Sequence, residues 1–260
     1  MNDAPQTSHP GDPHAVRVSG LQWGVGGLTI IDDVTLDVAA GEFLSVIGPN
    51  GAGKTSLINL ISGVHRPSAG VIEVMGRDVT GLRPAARVGL GLGRTFQASS
   101  LFPLLTVHEN VRIAAQASLG GSLDLLRRPR PGDDAHRLTA DALERVGLVD
   151  LATTRAGSLS HGDKRKVELA MVLAGEPAVL LLDEPTAGVS VEETGPLVDL
   201  IRQVHGAGKT VIMVEHRMEF VVDVSDRIAV MHHGKILTVG TPAHVMADSA
   251  VRTAYLGTED

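Results

Sequence analysis

The chain has 260 residues, a formal net charge of −7, only 2% aromatic residues and no cysteine. The acidic balance and the scarcity of aromatics argue against a nucleic-acid surface built on positive charge or base stacking. The lack of cysteine excludes disulfides, thiolate chemistry and cysteine-ligated zinc, while the length suits one large α/β domain or a core with a subdomain.

Residues 1–14 are rich in Pro, His, Asp and Gly and contain no apolar core, so they read as a disordered tail rather than a signal peptide or anchor. No apolar run approaches the roughly 18–20 residues needed to cross a bilayer. Residues 16–19 and 28–38 alternate as strands do and are joined through Gly24-Val25-Gly26-Gly27, with Trp23 just before that turn.

A short apolar run, Phe43-Leu44-Ser45-Val46-Ile47, leads into Gly48-Pro49-Asn50-Gly51-Ala52-Gly53-Lys54-Thr55-Ser56, and a helical pattern then runs to Ser62 and stops at Gly63. Strand, glycine-rich turn and helix start together make an anion site. The glycines permit close backbone approach, the first helical N–H groups have no internal partners, and the helix dipole adds about half a positive charge. In such a loop Lys54 reaches the β- and γ-phosphates of a nucleotide and Thr55 offers its hydroxyl to Mg²⁺. Residues 71–75 form a further strand, so residues 15–80 read as strands wrapped around this loop and its helix.

Residues 98–158 lack a strong strand signal and read as an inserted helical subdomain, interrupted by a polar stretch over 120–134. Thr106-Val107-His108-Glu109 has the capping-box spacing that opens a helix through Ala117, and a second helix is expected over 134–146. Leu159-Ser160-His161-Gly162-Asp163 precedes a third helical pattern, with Ser160 as its expected N-cap. That segment is either a well-capped helix and no more, or a second anion-binding helix start.

Residues 178–182 form a continuous apolar run, as expected for a parallel strand covered on both faces. Asp183-Glu184 follows directly, where a carboxylate beside a phosphate loop holds Mg²⁺ and its neighbour orients or deprotonates the attacking water. A helix over 192–204, a strand over 210–214, a helix over 218–224 and strands over 227–231 and 236–239 complete a parallel, right-handed α/β core. His232-His233 reads as part of a turn rather than a metal site, having no third ligand at suitable spacing.

Taken together these motifs resemble the ATP-binding-cassette (ABC) ATPase family over residues 16–256. The resemblance matches residues 48–55 to the phosphate loop and residues 179–183 to the Walker B strand. It places Glu184 at the catalytic glutamate, Gln97 of Arg94-Thr95-Phe96-Gln97 at the Q-loop, where it reaches metal and water, and His216 at the switch histidine. Residues 159–163 take the place of the signature, normally Leu-Ser-Gly-Gly-Gln, and Ala187-Gly188-Val189-Ser190 that of the D-loop.

More narrowly the chain looks like the ATPase subunits of importers for branched-chain amino acids, amides and urea. That rests on Asn59-Leu60-Ile61-Ser62-Gly63, Gly93-Arg94-Thr95-Phe96-Gln97, Ser160-His161-Gly162, Val214-Glu215-His216 and Ala254-Tyr255-Leu256-Gly257.

The resemblance implies a P-loop NTPase core over 15–97 and 159–257, an N-terminal antiparallel β subdomain and the helical insertion. It implies ATP and Mg²⁺ as cofactors, with Thr55, Gln97 and Asp183 around the metal. It also implies a second ATPase subunit, identical or a sister, integral-membrane permease subunits, and indirectly an extracytoplasmic solute-binding protein, with no nucleic acid. The chain would then sit on the cytoplasmic face of the cell membrane. Two cassettes would pack head to tail, each ATP lying between the phosphate loop of one and residues 159–163 of the other. Residues 101–105, apolar and broken by Pro103, are either the candidate groove for a cytoplasmic helix of the permease or a buried core loop.

Three departures stand out. His161 replaces the first signature glycine, and Asp163 replaces the glutamine, so Ser160 and the Gly162 N–H are expected to take the γ-phosphate with Asp163 turned away. Val25 stands where the family stacks an aromatic on adenine; Trp23, two residues earlier on the same face of an extended strand, either substitutes for it or packs in the core. The competing classes are a phosphate-loop GTPase, which lacks its Asn-Lys-x-Asp element here, and a non-transport or exporter-type cassette.

Overall fold

The computed structural model describes residues 14–95, 101–120 and 133–256. Residues 1–13 of the expected tail, residues 121–132 of the polar stretch expected over 120–134, and Gln97 lie outside the described residues, while His14, placed in the tail, opens the first strand. The chain divides into two units, Met1–Leu90 with Ser225–Asp260, and Gly91–Val224.

In the first unit β1 (His14–Val25) and β2 (Leu28–Ala39) form an antiparallel hairpin across Gly26 and Gly27, whose φ values of 59° and 84° suit a two-residue turn. β4 (Ala69–Val74) pairs antiparallel on the other side of β1, and β5 (Arg77–Asp78) on β4. Alternation directs Val16, Val18, Val34, Leu36, Val38, Ile72 and Val74 into the core. β3 (Phe43–Ile47), buried along its whole length, runs parallel to β9 (Arg227–His232), which carries β10 (Lys235–Gly240) antiparallel on its far side. The start of β9 is tied to β3 because the Asp226 carboxylate accepts the Phe43 N–H at 2.8 Å.

α1 (Lys54–Ile61) leaves the end of β3 through the glycine-rich loop. Its far end is held by Arg87 of α2 (Pro84–Val88), a fully buried cation whose Nη1 donates to the carbonyls of Leu60 and Ile61, both at 2.7 Å. Its Nε donates to Leu82 O at 3.1 Å and its Nη2 to Thr80 O at 3.2 Å. A cation against the last carbonyls suits both their unmet hydrogen bonds and the negative end of the helix dipole. α8 (Pro242–Ala247) and α9 (Ser249–Leu256) close this unit.

In the second unit β6 (Leu92–Arg94), β7 (Val179–Asp183) and β8 (Thr210–Val214) are parallel, with β7 in the middle. α3 (Val107–Ser118), α4 (Asp134–Arg145) and α5 (His161–Leu173) pack on one another, with α3 and α4 inside the segment expected to be helical and α5 beyond it. Thr106 and Glu109 complete the expected capping box of α3, each bonding the other's backbone N–H. α6 (Val191–Gly206) crosses back between β7 and β8, and α7 (Met218–Val224) follows β8.

Candidate functional site

The glycine-rich loop is shaped before any ligand is considered. Gly48 has φ 153°, and a Cβ there would lie 2.2 Å from Met231 O, so no other residue fits. Gly53, the N-cap of α1, has φ 102° and offers no side chain to the first helical N–H groups. Lys54 is buried and bridges the loop, its Nζ donating to Gly48 O at 2.6 Å and Pro49 O at 3.0 Å. The turn at His233 and Gly234 braces the loop from outside: Gly234 donates its N–H to Ala52 O at 3.1 Å and accepts that of Asp32 at 2.9 Å. His232 ends β9 and His233 begins this turn, their rings edge to face. Asn50 and Gly51 are exposed, Thr55 and Ser56 half-buried, and Ala52 buried.

On β1, Val25 is 58% exposed at the hairpin tip. The half-buried Trp23 ring stacks on His65, with centroids 4.5 Å apart and planes 12° apart. One face of the indole is therefore taken by His65.

In the second unit Asp183 ends β7 as a buried carboxylate, and Arg94 of β6 places Nη2 at 3.3 Å from it. Glu184 leaves the strand with φ 49°, a left-handed conformation that side chains other than glycine rarely adopt, held by its N–H to Val214 O at 2.9 Å. His216 lies exposed beyond β8, its Nδ1 3.9 Å from Glu184 Oε1 and 3.5 Å from Glu215 Oε2. Glu215 is fully buried; its carboxylate accepts the His216 N–H at 2.8 Å and bonds the Thr186 N–H and hydroxyl. It thus ties the loop after Glu184 to the loop carrying His216. Neither Arg94 nor Glu215 was assigned a role from sequence, although both lie inside motif stretches.

Ser160 caps α5 as expected, its Oγ accepting the Asp163 N–H at 3.1 Å. Asp163 turns its carboxylate to Lys166 at 3.3 Å. His161 is exposed, Leu159 and Gly162 are buried, and the Gly162 N–H is given to Glu193 of α6 at 3.3 Å.

Residues 31–187 match the family described as ABC transporter, and residues 235–260 the family described as branched-chain amino acid ATP-binding cassette transporter. The chain belongs to the ABC transporter ATPase family. This cassette is 38% identical over 248 residues to the high-affinity branched-chain amino acid transport ATP-binding protein LivG of Salmonella typhimurium, covering 93% of this chain and 97% of that protein. Against BraF of Pseudomonas aeruginosa, which carries the same description, it is 36% identical with the same coverage. A nucleotide-free ATP-binding cassette from an ABC transporter superposes with a TM-score of 0.84 at 28% identity, covering 94% of this chain and 99% of that one. A cassette in its ADP conformation gives 0.83 at the same identity and coverage.

Asp183 supplies a buried carboxylate, an oxygen ligand of the kind Mg²⁺ takes alongside nucleotide phosphates. Mg²⁺ held by that carboxylate would supply charge neutralisation to nucleotide phosphates.

Proposed function

We propose that this cassette is the ATP-binding and ATP-hydrolysing subunit of an importer for branched-chain amino acids or related small amides. The observation that carries the reading is the preformed loop over residues 48–56 with Lys54 at its centre, in a chain that resembles LivG and BraF over 93% of its length. In this reading residues 48–56 hold the ATP phosphates, Thr55, Asp183 and Gln97 hold Mg²⁺, and Trp23 and Val25 border the adenine. Glu184 activates the attacking water and His216 contacts the γ-phosphate. The His216 imidazole faces both Glu184 and Glu215, so the buried Glu215 orients it.

Ser160 and the Gly162 N–H act in trans, on ATP held by a second cassette, with Leu159, His161 and Asp163 shaping that surface. Closure of the two cassettes then follows ATP binding and reopening follows hydrolysis, which makes ATP a ligand that distinguishes two states. Residues 98–158 serve as the helical subdomain that meets the permease. Phe102 and Leu104 are 50% and 79% exposed on a backbone pinned by Asn110, whose side chain bonds both the N–H and the carbonyl of Phe102. A fixed pair of exposed apolar side chains suits a permease helix. Among the described residues no helix is long and apolar enough to cross a membrane. Association with the cytoplasmic face through the permease accommodates that.

The test is uptake by the complex purified with its permease and placed in vesicles. ATP-dependent accumulation of labelled leucine, isoleucine or valine, with amides and urea as competitors, is the expected result. Stable isolation on ribosomes or DNA, with no permease and no uptake, overturns it.

A further inference from the structure

The start of α5 already holds an anion, and that anion is part of the same chain. Glu193 stands in the first turn of α6, and its carboxylate accepts the Gly162 N–H at 3.3 Å and the hydrogen bond of the Ser160 side chain. These are the two groups assigned above to the γ-phosphate. The bond from Ser160, then those from Gly162 and Ser190, hold this carboxyl below the usual glutamate range.

The fit is close. A Cβ at position 162 would lie 2.7 Å from Glu193 Cδ, so a glycine at this place is what lets the carboxylate reach the helix start. Asp163, the acid nearest in sequence, leaves the seat open by turning to Lys166. Glu193 also has a second partner on its own helix: Ser190 Oγ approaches the carboxylate at 3.4 Å and accepts the Glu193 N–H at 3.3 Å. A carboxylate shared between two helix starts can give up one and keep the other.

We propose that Glu193 occupies the γ-phosphate seat at the start of α5 in the nucleotide-free cassette and must withdraw to α6 before the ATP of a second cassette is gripped. This rests on the reading of Ser160 and Gly162 as the trans half of a shared site. Two anions compete for the same donors, and the incoming phosphate meets a negative charge until Glu193 moves. Glu193 is thus a positioning residue that raises the ATP concentration needed for closure without taking part in hydrolysis.

Glu193→Gln tests this, because glutamine keeps the capping capacity of the third helical position while removing the charge. In the full-length cassette, turnover is measured against ATP and against protein concentration. ATP affinity of the single chain is measured separately with a fluorescent ATP analogue at low protein concentration. Exchanging a charged occupant for a neutral one at a helix start should lower the ATP concentration for half-maximal turnover on the order of fivefold. Single-chain affinity stays unchanged. In the wild-type chain, the ¹³C signal of the Glu193 carboxyl should titrate below the ordinary glutamate range without nucleotide. It should return toward that range when ATP closes the Glu184→Gln protein.

If wild-type turnover rises more than linearly with protein while Glu193→Gln leaves half-saturation unchanged or raised, the seat is not contested and this inference falls, the shared site standing. An ordinary Glu193 titration in the nucleotide-free chain overturns it equally. If turnover per chain is independent of protein concentration in both proteins, the shared-site reading fails and takes this inference with it.

Discussion

The guanidinium of Arg94 lies 3.3 Å from the carboxylate of Asp183, and the two side chains are 9% and 0% exposed. A buried acid at the end of a strand is costly unless a cation faces it, and β6 supplies that cation from the neighbouring strand. Removing one member leaves the other charged in a dry site. Asp183→Ala and Arg94→Leu should each cost about 3–5 kcal/mol of stability. The double variant should cost less than the sum by more than about 0.5 kcal/mol. Urea unfolding of the four proteins reads this directly, and additive losses would show that the pair is not coupled.

Glu184 carries strain that its proposed role has to justify. Its φ of 49° is a left-handed conformation, and a non-glycine residue held there costs of order 1 kcal/mol or more. Glu184→Gly should therefore raise the melting temperature while abolishing turnover. Glu184→Gln keeps both the backbone and its strain, so its melting temperature should stay near wild type. That variant should bind ATP, fail to hydrolyse it and accumulate a closed dimer on size-exclusion chromatography. Near-normal hydrolysis by Glu184→Gln would remove Glu184 from the role of catalytic base.

The helical region should be sensitive to mild acid. His108 in α3 lies 5.6 Å from His136 in α4. Its pKa is lowered from the ordinary 6.5, first by burial and then by the charges of His136 and Arg112, with Glu109 opposing them. A histidine whose folded pKa is depressed is favoured neutral, so the unfolded chain binds more protons below the ordinary value. Stability is then full above about pH 6.5 and falls as the pH drops toward the folded pKa. The protection of α3 amides, taken relative to their intrinsic exchange rate at each pH, should fall between pH 7 and pH 5, and His136→Gln should reduce that change. The capping carboxylate of Glu109 is held below the usual range by the Thr106 N–H and hydroxyl, so its own loss comes at lower pH still.

Sequence reasoning read what is periodic or local. The wholly buried β3, β7 and β8 are continuous apolar runs in the sequence. The caps Thr106 and Ser160 each follow from a side chain that reaches a backbone N–H three residues on. The glycine-rich loop was legible because its backbone geometry is written in its own glycines. What escaped depends on residues far apart in the chain. Arg87 serves carbonyls more than twenty residues earlier, at the end of α1. Glu193 reaches a helix that begins some thirty residues before it. Glu215, next to His216 in the chain, fastens Thr186 and His216 to one carboxylate. No period or spacing encodes such pairings; they appear only when the strands bring the segments together.

Trp23 is where packing and function make separable demands. Its stack on His65 is worth about 0.5–1.5 kcal/mol beyond the area it buries. The opposite face of the indole is the one a base would use in place of the aromatic missing at Val25. If adenine stacks there, Trp23→Ala should lose about 1–3 kcal/mol of ATP affinity. GTP affinity should fall with it, since stacking tolerates any base. His65→Ala should weaken binding less, by freeing the ring without removing it. Isothermal titration of the three proteins, paired with thermal melts, separates the demands. Lowered melting with unchanged nucleotide affinity in Trp23→Ala would make the residue a packing partner of His65 alone.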